Sequence, residues 1–554
     1  MQRHGGKILA DQLVLQGVRR VFSVPGESFL AALDGLYDSG IENIVCRQEG
    51  GAAMMAEAYG KLTGRPGVLF VTRGPGATNA AAGIHVAKQD STPMVIFVGQ
   101  IARGHRDREA FQELDYRRVF GGLAKWAAEV DETERLPEYI SRAFHLACSG
   151  RPGPVVLALP EDMLSAAAEV RDIAAPAVAA AGRVSGEQAA AVAAALSRAE
   201  RPLVVVGGSQ WSAAAAADLA DFATAAGLPV AVTFRRQDRM DNAHPQFVGD
   251  LGVGMNPKLG QRLKAADCLL VLGSRLGDIA TGGYELLSPG GALPQLIHVH
   301  PDPDELGAVF RPDLAVAATA PDMVAALKWL NVQAKPEWAG WVSAARAEYE
   351  TWQRPQETPG AVKLERVVGW LAEHLPEDAI LTNGAGNFAA FLHRYYRFRR
   401  YGTQLAPTSG SMGYGFPAAV SAKLEHPERV VICWAGDGDF QMTLNELSTA
   451  AQYGAAVIVV VANNGRYGTI RMHQEREYPG RVSGTDLANP DFAALARAYG
   501  GHGETVTEGE AFPEAFERAR ATGKLAVIEL KLDPEMLSTS QTVSGQRAAA
   551  QRRG

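Results

Sequence analysis

Residues 430–435 read Val-Val-Ile-Cys-Trp-Ala and run directly into Gly436-Asp437-Gly438-Asp439-Phe440; residues 456–462, Ala-Val-Ile-Val-Val-Val-Ala, run into Asn463-Asn464. Apolar runs this short and unbroken, each closed by Gly or Asn, have the pattern of parallel strands buried on both faces. Between them, residues 443–453 read as a helical stretch stopped by Gly454. The result is one strand–helix–strand unit. Its right-handed crossover would bring Asp437 and Asn464 together at the carboxyl ends of parallel strands, where α/β proteins bind ligands. A carboxylate and an amide oxygen are hard ligands that suit Mg²⁺, with a phosphate ester completing the shell. Gly436 and Gly438 let the backbone turn and approach a diphosphate, whose charge the next helix N-terminus favours. Taken singly, Asp-Gly and Asn-Asn are turns that end strands; their joint occurrence carries the ligand reading.

The same alternation extends towards the N-terminus. Residues 68–72 and 203–206 and the run Cys268–Leu272 are further apolar segments with Gly close behind. At 554 residues the chain is too long for one core. The expected fold class is α/β, with three doubly wound parallel-sheet domains. Linker composition at 165–186, with Pro176 and Gly182, and at 350–360, with Pro355 and Pro359, divides the chain. The expected domains are 1–170, 186–335 and 360–540, followed by a flexible polar tail at 541–554.

A balance of 54 Lys and Arg against 61 Asp and Glu, net −7, argues against a nucleic-acid partner and permits a small anionic substrate in a local basic site. Cys46, Cys148, Cys268 and Cys433 are widely separated, which excludes a CxxC pair and fits a reducing, cytoplasmic setting. Residues 1–7 lack the apolar stretch of a signal peptide, and no apolar run is long enough to cross a bilayer, so no membrane partner is expected.

Near the N-terminus, the apolar run at 43–47 leads into Gln48-Glu49-Gly50-Gly51-Ala52-Ala53. An acidic residue in a first helical turn is favoured by the helix dipole alone. A carboxylate buried among small apolar residues is also suited to holding a proton on a ring nitrogen.

With 24 residues between Gly438 and Asn463, the paired motifs match the thiamine diphosphate fingerprint. Nearly the whole chain resembles the catalytic subunit of the acetohydroxyacid (acetolactate) synthase family. The resemblance implies pyrimidine-binding, central and diphosphate-binding domains. It implies that Asp437 and Asn464 bind Mg²⁺ through side chains and Arg466 through its backbone carbonyl, with Gly436, Gly438, Asp439, Tyr467, Gly468 and Thr469 around the cofactor. Glu49 would hold a proton on N1′ of the aminopyrimidine, and the imino tautomer so stabilised takes the proton from C2 of the thiazolium. The family often has His before this Glu; here it is Gln48.

Other segments follow the same resemblance. Pro25-Gly26-Glu27 matches a pocket-lining loop, although Glu27 departs from the usual small residue. Thr72-Arg73-Gly74-Pro75-Gly76-Ala77-Thr78-Asn79, by itself a Pro-Gly turn, matches a segment lying against the partner subunit's cofactor. Gly26, Thr72, Pro75, Gly76 and Asn79 are thus expected contacts. Gly384-Ala385-Gly386-Asn387 matches a cofactor-touching turn, which makes Gly386 and Asn387 contacts. A nicotinamide dehydrogenase reading of that turn lacks the acidic residue expected about 20 positions later. Met412 matches the side chain wedged between the cofactor rings; outside this context it would be a core methionine. In Phe111-Gln112-Glu113 the family's Gln faces the substrate, so Gln112 is a candidate catalytic residue and Phe111 a pocket residue. Lys125 stands where the family has a basic residue, with pocket and surface readings both open. Ile470 and His473 complete the expected pocket, His473 standing where biosynthetic members typically carry Trp.

The function so implied is a decarboxylating carboligase. The C2 ylide attacks a 2-keto acid, CO₂ leaves, and the enamine is transferred to an acceptor carbonyl. A simple 2-keto-acid decarboxylase is the alternative within this chemistry. A non-catalytic cofactor-binding scaffold is the alternative from another class, opposed by the intact Glu49, Asp437 and Asn464. The family's central domain holds FAD in some members, and the glycine turns at 207–208 and 272–278 leave FAD open. In the family the cofactor sits between subunits, which implies at least a homodimer and by resemblance a homotetramer.

Overall fold

The computed structural model describes residues 2–552; Met1 and the last two residues of the expected tail, Arg553 and Gly554, lie outside them. Three six-stranded sheets, parallel throughout, carry the chain in succession. The α/β expectation of three doubly wound sheets holds. Numbered along the chain within each sheet, the first and third share the strand order 2-1-3-4-6-5, and the central one runs 3-2-1-4-5-6. The central strands are sealed on both faces, as Met94–Gln100 and Val431–Gly436 are along their whole length. This is why their sequences are apolar without alternation.

Chain contacts group these sheets into two compact units. The first comprises Met1–Ala180, Pro407–Pro427 and Thr443–Ala455, and it holds the first sheet. The second comprises Ala181–Ala406, Glu428–Met442 and Ala456–Gly554, and it holds the other two. The expected linker at 165–186 has no regular element between the strand Ala167–Ala168 and the helix Gly186–Arg198. The helix Trp338–Trp352 runs into the start of the other, 350–360.

In each of the two like-ordered sheets the order reverses between the first and third strands, and ligands of open α/β sheets bind in the crevice there. In the first unit those strands are Arg20–Ser23 and Gly67–Val71. Their following turns contain Gly26 and Thr72, so close that a Cβ on Gly26 would lie 2.3 Å from the Thr72 Cβ. In the third sheet they are Ile380–Asn383 and Val431–Gly436, followed by the Gly384 turn and Asp437.

The helix Glu49–Thr63 is buried all round from Glu49 to Gly60, which its run of Gly and Ala permits. It presses on the strand Gly67–Val71 where Gly67 has no side chain; a Cβ there would meet the Ala56 carbonyl at 1.8 Å. Gly64, in the left-handed conformation, ends it. The segment expected as a flexible tail instead forms the helix Val543–Gln551, anchored by Arg547 to the buried Glu475 at 2.6 Å. Its short Ala-rich pattern gave no apolar stripe to read. Among the described residues no helix is long and apolar enough to cross a membrane.

His393, in the helix Phe388–Tyr395, is buried with Nε2 3.3 Å from Asn383 Oδ1 and its ring edge-on to Phe234. Burial first, then the charge of Arg235, holds its pKa down to about 3. The imidazole is therefore neutral in the fold, while the unfolded chain binds a proton below its ordinary value of 6.5. Its contribution to stability is complete above that value and is lost as pH falls towards 3. At pH 5 the loss is about 2 kcal/mol. Urea denaturation at pH 7.5 and pH 5 should show a smaller pH-induced loss in His393→Gln than in wild type by about that amount; equal losses would remove the account.

Candidate active site

On the first unit, the site grows from the amino end of Glu49–Thr63. Gln48 caps this helix, its Oε1 accepting from the N–H groups of Gly50 (2.5 Å) and Gly51 (3.1 Å). A fully buried carboxylate, Glu446, accepts from the backbone N–H groups of Arg47 (3.1 Å) and Gln48 (3.0 Å) and from the Thr449 hydroxyl (2.5 Å). Burial pushes Glu446 above the usual carboxylate range, against the pull of those donors. With the backbone before it fixed in this way, Glu49 is itself only 9% exposed. Its Oε2 accepts from Asn79 Nδ2 at 3.0 Å, and Oε1 would lie 3.2 Å from a Cβ on Gly76. The helix Pro75–Asn79 thus lies against the carboxylate, leaving its pocket roofed by glycine rather than a side chain.

The same segment reaches the expected substrate loop. Gly74 is left-handed, its N–H donates to the Tyr116 hydroxyl at 2.7 Å, and a Cβ on it would strike Gln112. Gln112 is itself left-handed, at φ 64°, a conformation costly for a side-chain-bearing residue and concentrated at functional sites. Arg73, buried, contacts Glu27, lies 3.2 Å from Glu161 and donates through Nε to the Phe111 carbonyl at 3.3 Å. Glu27, Glu161 and Phe111 are therefore gathered around one guanidinium, with Gln112 next in the chain against Gly74. The Lys125 Nζ donates to the Leu146 and Ser149 carbonyls at the end of the helix Leu136–Cys148, as a helix cap does.

Met412 is half-buried on the segment Pro407–Pro427. A buried polar cluster clamps this segment onto Glu49–Thr63. Tyr414 donates to Glu57 at 2.6 Å, Lys61 pairs with Glu57 (3.2 Å) and with Asp90, and Asp90 accepts from the Thr408 N–H at 2.7 Å. Burial pushes the Glu57 carboxyl up, against Lys61.

On the second unit, Asp437 opens a short helix behind Val431–Gly436. Its Oδ1 accepts from the Gly438 N–H (2.9 Å), and Oδ2 accepts from the Gly465 N–H (2.9 Å) and Asn489 Nδ2 (2.7 Å). Register places Gly436 beside Ala462 on the neighbouring strand, so Asp437 and the Asn463-Asn464 turn meet. Asn464 Oδ1 accepts from the Arg466 N–H at 3.3 Å. A Cβ on Gly468 would lie 3.1 Å from Asn464 Nδ2, and one on Gly438 would strike the Tyr467 ring at 2.5 Å. Asp439 accepts from the Ala385 N–H at 3.2 Å, tying in the turn of Gly386. Asn387 and Thr469 are joined by a 3.0 Å hydrogen bond from the Thr469 hydroxyl. Ile470 and His473 lie exposed three residues apart on the helix Gly468–Glu477, with His473 Nδ1 2.9 Å from Arg476 Nη2.

These residues suit a divalent cation and a diphosphate. Burial pushes the Asp437 carboxyl up despite its hydrogen bonds. Among the described residues no three His, Cys, Asp or Glu side chains converge on a metal position, so amide, backbone and phosphate oxygens would complete the shell. The glycines around Asp437 bring its neighbours close: a Cβ on Gly436 would meet the Phe388 ring at 2.6 Å, and one on Gly384 the Asp439 carboxylate at 2.0 Å. Asn489, which also donates to Asn463 Oδ1 at 2.8 Å, was invisible to motif reasoning, as were Glu446 and Arg73: each acts through a partner distant in sequence.

Residues 3–119, 189–327 and 384–530 match, in order, the thiamine pyrophosphate enzyme N-terminal TPP binding domain, central domain and C-terminal TPP binding domain. The chain is 31% identical to acetolactate synthase isozyme 2 large subunit of Escherichia coli (strain K12) over 93% of each chain. It is 34% identical to the acetolactate synthase large subunit of Parasynechococcus marenigrum, over 91% of this chain and 84% of the relative. Identity to the Corynebacterium glutamicum acetolactate synthase large subunit is 32%, over 95% and 86%.

On the reading of Asp437 as a divalent-cation ligand oriented by Asn489, Asn489→Ala should weaken Mg²⁺ binding about 10- to 100-fold. Titrating Mg²⁺ against cofactor-induced fluorescence change would read this; an unchanged midpoint would assign Asn489 to the fold alone.

Proposed function

The chain belongs to the thiamine pyrophosphate enzyme family, and from that premise we propose that it is a carboligase dependent on thiamine diphosphate and Mg²⁺, decarboxylating a 2-keto acid and joining the remaining fragment to an acceptor carbonyl. The observation that carries this reading is Glu49, buried with one carboxylate oxygen held by Asn79 and the other facing glycine.

When bound, thiamine diphosphate supplies an electron sink for the pair released as CO₂ departs. Glu49 holds the proton at N1′ of the aminopyrimidine, and its burial keeps water from competing for it. Asp437, Asn464 and the Arg466 carbonyl would hold Mg²⁺, with Gly436, Gly438 and Thr469 beside the diphosphate. Met412, clamped through Tyr414 and Thr408, supports the cofactor rings. Gln112, fixed in its left-handed conformation by Gly74 and Arg73, faces the substrate. Orientation of the reacting groups by these side chains is what the chain itself adds to the rate.

The resemblance leaves FAD open for the central domain, where its place would be the crevice between Pro202–Val206 and Cys268–Leu272, at the turns Gly207-Gly208 and Gly273-Ser274. A yellow purified protein that releases flavin on acid treatment would establish it, and a colourless one would remove it. The four free cysteines fit a reducing, cytoplasmic setting.

Cofactor-stripped protein should release CO₂ from pyruvate only after both thiamine diphosphate and Mg²⁺ are restored, and Glu49→Gln should lower the rate at least about 100-fold. Full activity in the variant would sink the assignment of Glu49. Acetolactate or acetoin among the products marks ligation; free aldehyde alone marks plain decarboxylation. By the same reading the active assembly is a homodimer at minimum and, by the resemblance, a homotetramer. Sedimentation with cofactor present should show dimer or larger, and an active monomer would refute it.

A further inference from the structure

The Thr72–Asn79 stretch carries a charge that the reaction as described does not use. Arg73 is 6% exposed, and its guanidinium is shared by two carboxylates, Glu27 on one side and Glu161 on the other. Its Nε is taken by the Phe111 carbonyl. A buried arginine needs such partners, but one carboxylate would meet that need; two leave the group with a net charge of −1. The surplus is displayed outward, because the Glu27 side chain is 67% exposed. Glu27 follows Gly26, which packs on Thr72, and the same stretch of chain continues through Gly74 at Gln112 to Gly76 at Glu49. The charge therefore stands at the substrate end of the surface that carries the candidate catalytic groups.

We infer that Glu27, Arg73 and Glu161 form the specificity determinant of this pocket, admitting 2-keto acids whose distal group is neutral and turning away those that carry a second anionic group. This rests on the reading of the site as one for 2-keto acids. A guanidinium with free N–H groups would be a fork-shaped receptor for a distal carboxylate. Here both sides of the fork are occupied from within the chain, and the exposed Glu27 carboxylate repels an incoming anion. Gln at position 27 keeps the length of the side chain and removes its charge. Arg73 then retains Glu161 as its counter-ion and turns a free edge to the pocket.

The test compares wild type, Glu27→Gln and Glu27→Asp, each with thiamine diphosphate and Mg²⁺, on pyruvate and on 2-ketoglutarate as the dicarboxylic probe. In Glu27→Gln the ratio of kcat/KM for 2-ketoglutarate to that for pyruvate should rise 10- to 100-fold. Glu27→Asp should stay near wild type, and added salt should narrow the gap because the repulsion is screened. Calorimetric titration with 2-ketoglutarate reads the same change without turnover: Glu27→Gln should bind it at least 10-fold more tightly than wild type. Equal affinity, or a wild type that takes the dicarboxylic acid as readily as pyruvate, would overturn the inference. Absence of turnover of either acid, with the affinity difference present, would instead count against the proposed reaction and leave the charge-exclusion device standing.

Discussion

A carboxylate taken out of water must be given donors or a counter-charge, and much of this molecule is arranged around meeting that demand at a few positions. Such groups around the helix Glu49–Thr63 include Glu446, Glu57 and Glu49. Glu446 is satisfied by the backbone just before the helix, Glu57 by Lys61, Thr92 and Tyr414, and Glu49 by Asn79. Each solution fixes a different piece of chain: the approach to the helix, the segment bearing Met412, and the Pro75–Asn79 turn. Asp437 on the second unit is the contrasting case. It receives three hydrogen bonds, and burial holds it above the usual carboxylate range as it does Glu446 and Glu57, but its donors tie together two strand-end turns rather than the flanks of a helix.

Gln48 belongs to this arrangement. A titratable imidazole at that position would place a second proton-exchanging group next to Glu49. The carboxamide instead spends its oxygen on two helix N–H groups and neither gains nor loses a proton. The acid–base behaviour of the helix end is thereby left to Glu49.

Most of the strands, and the meeting of Asp437 with the Asn464 turn, were legible because their signals are local. A strand buried on both faces has to be apolar along its length, and Asp437 and Asn464 occupy ends of neighbouring parallel strands, so spacing alone placed them together. Asn489 escaped because it reaches Asp437 across 52 residues and sits in an unremarkable loop. Arg73 looked like one polar residue in a glycine turn; its meaning lies in Glu27 and Glu161, which only the fold brings to it. Lys125 and the helix Val543–Gln551 show the opposite difficulty, since their contacts are ordinary caps and ion pairs with no sequence pattern of their own. The like strand order of the first and third sheets was also hidden, because order depends on which strands pair, and the sequence shows only that strands exist.

The first compact unit is assembled from three separated stretches of chain, two of them, Pro407–Pro427 and Thr443–Ala455, lying more than two hundred residues beyond the rest. Cutting the gene after the first of these stretches would therefore yield a fragment that is contiguous in sequence but incomplete as a body. It would lack Tyr414, Thr408 and Glu446, and with them hydrogen-bond partners of Glu57, Asp90 and the Arg47–Gln48 backbone. Recombination between related genes faces the same restriction: a crossover that exchanges only the leading third would ask foreign inserts to fit these polar contacts. Inheritance of this unit is accordingly tied to the integrity of most of the coding sequence.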